Sequence, residues 1–221
     1  HAGVYAGGTY LSELHGRSDA WITIAAASGE TVLFRGGSEA LHLSDVSYLR
    51  ITGLAFEGQT GNGVNIDDGG SYETPSHHVL LEDCEFRALA ATGNNDQLKL
   101  SGVDSFSVRR CRFLNGSAGG SGVDMVGCHD GNFENNTFRN GGSNCIQAKG
   151  GSRRIRIERN GLFNGGQRAI NIGGSTGAQF FRPIGAPYEA MEVFVYANVF
   201  TGSQTPFAFV GAVNCEVINN T

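Results

Sequence analysis

With 221 residues, 40% hydrophobic and 17% charged, the chain carries enough apolar material for a packed core. A formal net charge of −5 excludes the basic footprint of a nucleic-acid partner, and no apolar run reaches the length of a membrane span. Glycine is abundant at 34 residues but follows no G-x-y period, which excludes collagen and places it at turns between short strands.

Along the chain one phrase keeps returning. LAF at 54–56, CEF at 84–86, CRF at 111–113, NTF at 136–138, NGLF at 160–163 and NVF at 198–200 all end on phenylalanine, at intervals of 25 to 37 residues. Each is followed within seven to twelve residues by a short apolar alternation: VNI, LKL, VDM, IQA, INI, FAF. A unit of this size cannot bury its own apolar face, so neighbouring units must stack. The spacing predicts an all-β chain, a β-solenoid of about seven or eight coils filling residues 1–221 as one domain. The chain opens at HAGVYAGGTY and stops at VINNT, inside a repeat phrase. Solenoid ends expose strand edges and are capped in nature. We therefore expect a piece lacking one or both caps, monomeric unless its open ends stack.

Two residues before each Phe runs a second column: Leu54, Cys84, Cys111, Asn136, Asn160 (after one inserted residue), Asn198 and then Asn220. Stacked inward amides bond one another and the turn backbone along the axis. The five cysteines form no CxxC or metal-finger spacing. Cys84 and Cys111 share a repeat position, which suits either a disulfide or two small buried apolar side chains.

The strands after Phe align by their inward residues, Val64, Leu98, Val123, Ile146, Ile170 and Phe207, then Ile66, Leu100, Met125, Ala148, Ile172 and Phe209. Side chains alternate faces along a strand, so Asn65, Lys99, Asp124, Gln147, Asn171 and Ala208 point outward. Two residues on, Asp67, Ser101, Val126, Lys149, Gly173 and Val210 do the same. His42, in LHL, extends this face towards the N-terminus. Two long turns, 67–78 and 173–190, border it and are expected to wall a groove; the second carries Phe180, Phe181, Arg182 and Tyr188.

Only two lysines occur in the chain, Lys99 and Lys149, and both fall on this face, two coils apart. With Asp124, Gln147, Asn171 and Arg168 nearby, and His129 and Arg182 at its border, the face suits an acidic polysaccharide. Amides and carboxylates bond hydroxyls, and arginine pairs with uronate carboxylates. Cleaving a uronate by elimination requires a neutralised carboxylate, a base for the C5 proton and an acid for the leaving oxygen. Lysine serves as base where neighbouring cations or burial favour its neutral form.

Two other functions remain open from the residues. A glycoside hydrolase needs paired carboxylates; among Asp67, Asp68, Asp96 and Asp124 only Asp124 is outward mid-strand, Asp96 reads as a turn residue, and no adjacent-coil pair emerges. A non-catalytic glycan-binding surface protein would use the same groove. His77 and His78, consecutive on a strand, are expected to point oppositely and share no metal. In RRIRIERN, Ile155 and Ile157 read inward and the arginines outward.

The asparagine column resembles the ladder of right-handed parallel β-helices, the pectate-lyase-like superfamily, over at least residues 40–221. The right hand is what this resemblance implies. CIQAKGGSRRIRIERNGLFNGGQRAINIGG is similar to the Lys-then-Arg segment of the chondroitinase B and alginate lyase group. The resemblance implies Lys149 as base and Arg168 as acid, although in register Gly173 follows Lys149 by one coil and Arg168 lies five residues upstream. It also implies calcium as a possible cofactor, with Asp124 and Asn171 as oxygen donors. The expectation is a secreted, periplasmic or cell-surface protein that cleaves a uronate-containing polysaccharide by β-elimination.

Overall fold

The computed structural model describes residues 1–221. Apart from one 3-10 turn at Ala178–Phe180, its regular elements are strands. They form three parallel sheets of eight, eight and nine strands, visited in turn by each circuit of chain. The architecture is an eight-coil parallel β-helix. The second sheet runs through the strands expected from the alternation: Leu98 lies opposite Val64 and Val123, Ile146 opposite Val123 and Ile170, and Phe207 opposite Ile170. The outward columns follow in the same register, with Lys99 beside Asn65 and Asp124, and Asp124 beside Gln147.

A single apolar cluster of 39 buried residues fills the coil. Along its first sheet Phe34, Phe56, Phe86, Phe113 and Phe138 stack ring on ring, with centroids 5.9, 5.0, 4.7 and 4.6 Å apart. Burial of each such side chain is worth about 1.5–3 kcal/mol. The next member is Leu162, not Phe163 as the spacing predicts: Leu162 pairs with Phe138, while Phe163 pairs with Arg139 and carries its guanidinium 4.9 Å from the ring centre. With Leu162 in the column, Asn160 falls into the ladder without an insertion.

The ladder is continuous. The Oδ1 atoms of Asn136, Asn160, Asn198 and Asn220 each accept the backbone N–H one coil earlier, from Cys111, Asn136, Asn160 and Asn198, all at 2.9 Å. Cys84 and Cys111 are free thiols at the head of this column. They donate to Ile51 and Glu82 carbonyls and to Leu81 and Arg109 carbonyls, as the ladder amides do further along.

The third sheet carries a stacked kink. Tyr48, His78, Ser105, Asp130, Arg154 and Glu192 all have φ between 49° and 58°, and the pairing skips from His77–Asp104 to Val79–Phe106. An extra residue per strand turns successive side chains to one face. His77 and His78 therefore share a face, with Nδ1 atoms 2.8 Å apart, where simple alternation sets them opposite. Arg153 and Arg154 likewise both point outward, while Ile155 and Ile157 are buried. No helix is long and apolar enough to cross a membrane.

Candidate functional site

The two long loops leave the second sheet at its border with the third, from coils separated by three others. They meet nonetheless. The Tyr72 hydroxyl donates to the Gln179 carbonyl, and Arg182 Nε donates to the Tyr72 carbonyl at 3.0 Å. Arg182 then anchors this strap to the coils beneath: Nη1 and Nη2 donate to the Asp104 carboxylate at 2.6 and 2.7 Å, and Nη1 to the Gly127 carbonyl at 2.9 Å. His129 supports the same knot, 3.3 Å from Asp104 and 3.2 Å from the Arg182 carbonyl. Burial alone would raise the Asp104 carboxyl; its bonds to Arg182 and then His129 outweigh this and hold it well below the usual carboxylate range. The strap lies this low because glycine forms the corner. A Cβ on Gly127 would stand 2.7 Å from Arg182 Cβ, and one on Gly102 would stand 2.2 Å from Asp68 Oδ2. Both residues also have positive φ.

Beside the strap, on the outward face of the second sheet, lies a groove of about 800 Å³. Lys99 and Lys149 line its floor, with Tyr10, Tyr72 and Phe180 offering aromatic surface. The two lysines come from coils on either side of the one carrying Asp124, and both reach its Oδ2, Lys149 at 3.1 Å. Asp124 is 1% exposed, so a covered carboxylate pins the amino groups of the chain's only two lysines side by side. Asp96, on the preceding coil, lies 3.9 Å from Lys99 and accepts the Ser121 N–H at 2.7 Å. Burial opposes the charge on Lys99, but Asp124 and Asp96 together outweigh it and raise its pKa.

Asp96 feels the reverse balance. Burial, then the neighbouring Asp124 charge, push it from 3.8 up to about 6. A proton held more tightly in the folded chain stabilises it fully below the unfolded value, and that stabilisation is lost as pH rises through the folded one. Between about pH 4 and pH 6 the loss amounts to roughly 2–3 kcal/mol. Asp96→Asn, which keeps the acceptor for Ser121, should therefore gain that much on the native protein between pH 4 and pH 8. Denaturant unfolding of both proteins at the two pH values checks it; an unchanged difference would place the Asp96 charge outside the balance.

At the other end of the groove His42 lies between two carboxylates, Nε2 2.6 Å from Asp67 and Nδ1 3.2 Å from Glu39. Ser44 donates to the other Asp67 oxygen at 2.7 Å, and Tyr10 meets the imidazole edge-on at 5.0 Å. Asp68, nearby, is raised by burial and then by the Asp67 charge.

A family model described as the right handed beta helix region matches residues 32–221. The chain belongs to that family. Solved β-helices share the fold at low identity. The periplasmic alginate epimerase AlgG superposes with a TM-score of 0.55 and 11% identity, over 98% of this chain and 61% of that one. An alginate lyase from Paenibacillus sp. str. FPU-7 gives 0.46 and 16%, over 99% and 91%. Pectate lyase Pel9A gives 0.42 and 15%, over 99% and 69%. The chain thus spans about three fifths of AlgG. No curated protein sequence matches it.

Within this β-helix the expected site residues divide. Lys99, Lys149 and Arg182 line the groove, but Arg182 is 8% exposed and spent on the strap, as is His129 at 4%. Asp124 and Asn171 are buried outside the groove lining. Gln147 turns to the Gly173 carbonyl at 3.3 Å. Arg168 pairs with Asn144, which puts its backbone five residues along the strand from that of Lys149, or about 16 Å. Asp96 and Asp124, which the alignment did not couple, are neighbours. His42 and Tyr10 are groove residues that the sequence reading left without a role, and Asp67, weighed there only as a hydrolase carboxylate, lines the groove beside them. Their signal is the outward column itself, continued to His42 two coils and Tyr10 three coils before Lys99.

The donor set does not fit calcium. Asp124 Oδ1 and Asn171 Oδ1 are both buried without a hydrogen-bond partner, but calcium takes six to eight oxygens, and two ammonium groups already occupy the other Asp124 oxygen.

Proposed function

We propose that this β-helix binds a uronate-containing polysaccharide along the groove and cleaves it by β-elimination. The observation that carries the reading is the convergence of both groove-lining lysines on one carboxylate buried beneath them. Lys99, whose charge Asp124 and Asp96 sustain, sits where it neutralises a uronate carboxylate and so acidifies the C5 proton. In its free-amine form Lys149 takes that proton and becomes an ammonium. The electron pair left on C5 forms the C4–C5 double bond, the C4–O glycosidic bond breaks, and the leaving oxygen takes a proton back from Lys149. The scheme assigns no step to Arg168, whose backbone stands about 16 Å along the strand from that of Lys149.

Hydrolysis has one point in its favour, the Asp96–Asp124 pair with one member raised to about 6. Both are covered, at 2% and 1% exposure, and an acid that protonates a glycosidic oxygen must touch it. They position the lysines instead. A protein acting on such polymers works outside the cytoplasm, in the periplasm, at the cell surface or secreted.

The test is ultraviolet absorbance of the unsaturated uronate product during incubation with a panel of uronate polysaccharides, alongside Lys149→Ala. Product that vanishes in the variant is the expected result. Reducing ends without unsaturation would make the protein a hydrolase. Glycan retained without any cleavage would make the groove a binding surface only.

A further inference from the structure

We propose a second anion-binding subsite, centred on Arg153 and lying behind the strap, that takes a further acidic group of the glycan. It rests on the reading of the ligand as acidic, and not on the elimination chemistry.

The strap is the common wall of two openings. On its far side, over the third sheet, lies a cavity of about 670 Å³ that shares Gly70, Tyr72 and Arg182 with the groove. Four basic side chains reach it: Arg153, Arg154, Arg182 and His129. The carboxylates around it are already committed. Asp104 takes Arg182 through two bonds and His129 through a third contact. Asp130 takes Arg154 at 2.6 and 2.8 Å. Glu73, the remaining carboxylate on the lining, stands on the exposed loop at the rim.

Arg153 is left over. Its Nε is buried with no hydrogen-bond partner, on a strand that sets it directly beside His129. The kink at Arg154, φ 54°, turns both arginines to the cavity face. A buried N–H without an acceptor is costly, and a turn of the Arg153 guanidinium into the cavity brings it to an incoming carboxylate or sulfate oxygen. A guanidinium fork suits both groups. A polymer that leaves the groove over the strap presents its next acidic group to this fork.

Calorimetric titration of an oligouronate, inorganic sulfate and a neutral oligosaccharide into the native protein, Arg153→Gln and Lys149→Gln tests the assignment. With a uronate as its occupant, the subsite predicts that oligouronate binding weakens about tenfold in Arg153→Gln, the effect of losing one charged hydrogen bond. Sulfate binding should vanish in Arg153→Gln and survive in Lys149→Gln, and the neutral sugar should not distinguish the three proteins. Sulfate lost in Arg153→Gln with the oligouronate unaffected would keep the subsite and assign it to a sulfated glycan. Anion binding equal in the native protein and Arg153→Gln, or absent from the native protein, would overturn it. Loss of binding in Arg153→Gln without any unsaturated product in the native protein would sink the lyase reading and leave the subsite standing.

Discussion

Asn160→Ala should destabilise the fold by about 4–5 kcal/mol, in the exceptional range for one substitution. The amide sits mid-ladder at 2% exposure. Its Nδ2 donates to the Phe133 and Glu158 carbonyls at 3.0 Å and to Asn198 Oδ1 at 2.9 Å. Its Oδ1 accepts from the Asn136 backbone and side chain at 2.9 and 3.0 Å. Truncation strands those partners where water does not reach, and each unsatisfied buried group costs about 1–3 kcal/mol. Asn220→Ala is the internal control: it removes similar bonds from a half-buried position that solvent can satisfy, and should cost about 1 kcal/mol or less. Denaturant midpoints for both variants decide it. Equal small losses would mean that the ladder follows the coil rather than holding it.

Asp124→Asn should lower the rate of elimination by at least about 100-fold, equivalent to about 2.7 kcal/mol of barrier. The substitution keeps the shape of the side chain and removes the charge on which both lysines converge. Removing one partner of a buried pair costs about 3–5 kcal/mol of stability; the lower end applies, because the lysines, at 21% and 14% exposure, can swing towards water. A merely structural role would leave titration untouched. Loss of Asp124 takes away the chief interaction that offsets the burial of Lys99, so the Lys99 pKa should fall. With only two lysines in the chain, NMR of their Cε methylenes follows each one. A Lys99 titration that does not move would remove Asp124 from its positioning role.

The coil register was legible because period-2 alternation and an asparagine at a fixed offset from an apolar residue are both local, and stacking repeats them. The same rule, applied strictly, selects Leu162 rather than Phe163. Alternation tells which face a residue takes but not how deeply it is covered. Asp124 is outward in the pleat yet roofed by two lysine side chains, and only packing shows it. His77 and His78 escaped because no glycine marks the left-handed kink; its positive φ is carried by His, Ser, Asp, Arg, Glu and Tyr alike. Arg182 and His129 have the right chemistry for a groove, but they serve a contact between loops more than a hundred residues apart, which no repeat column encodes. Arg168 looked close to Lys149 because it belongs to the next coil; position along the strand separates them.

In a solenoid each coil touches only its neighbours, so fraying from either end normally stops where the local balance turns. The strap changes that rule for the middle of this molecule. The bond from Arg182 to Tyr72 joins residues 110 apart in sequence, and the coils carrying Lys99, Asp124 and Lys149 lie between the two it links. Opening those coils therefore also has to break the strap. The two lysines thus rest between the anchors of the strap, while Phe209 and Val210, at the far end of the same sheet, lie outside it.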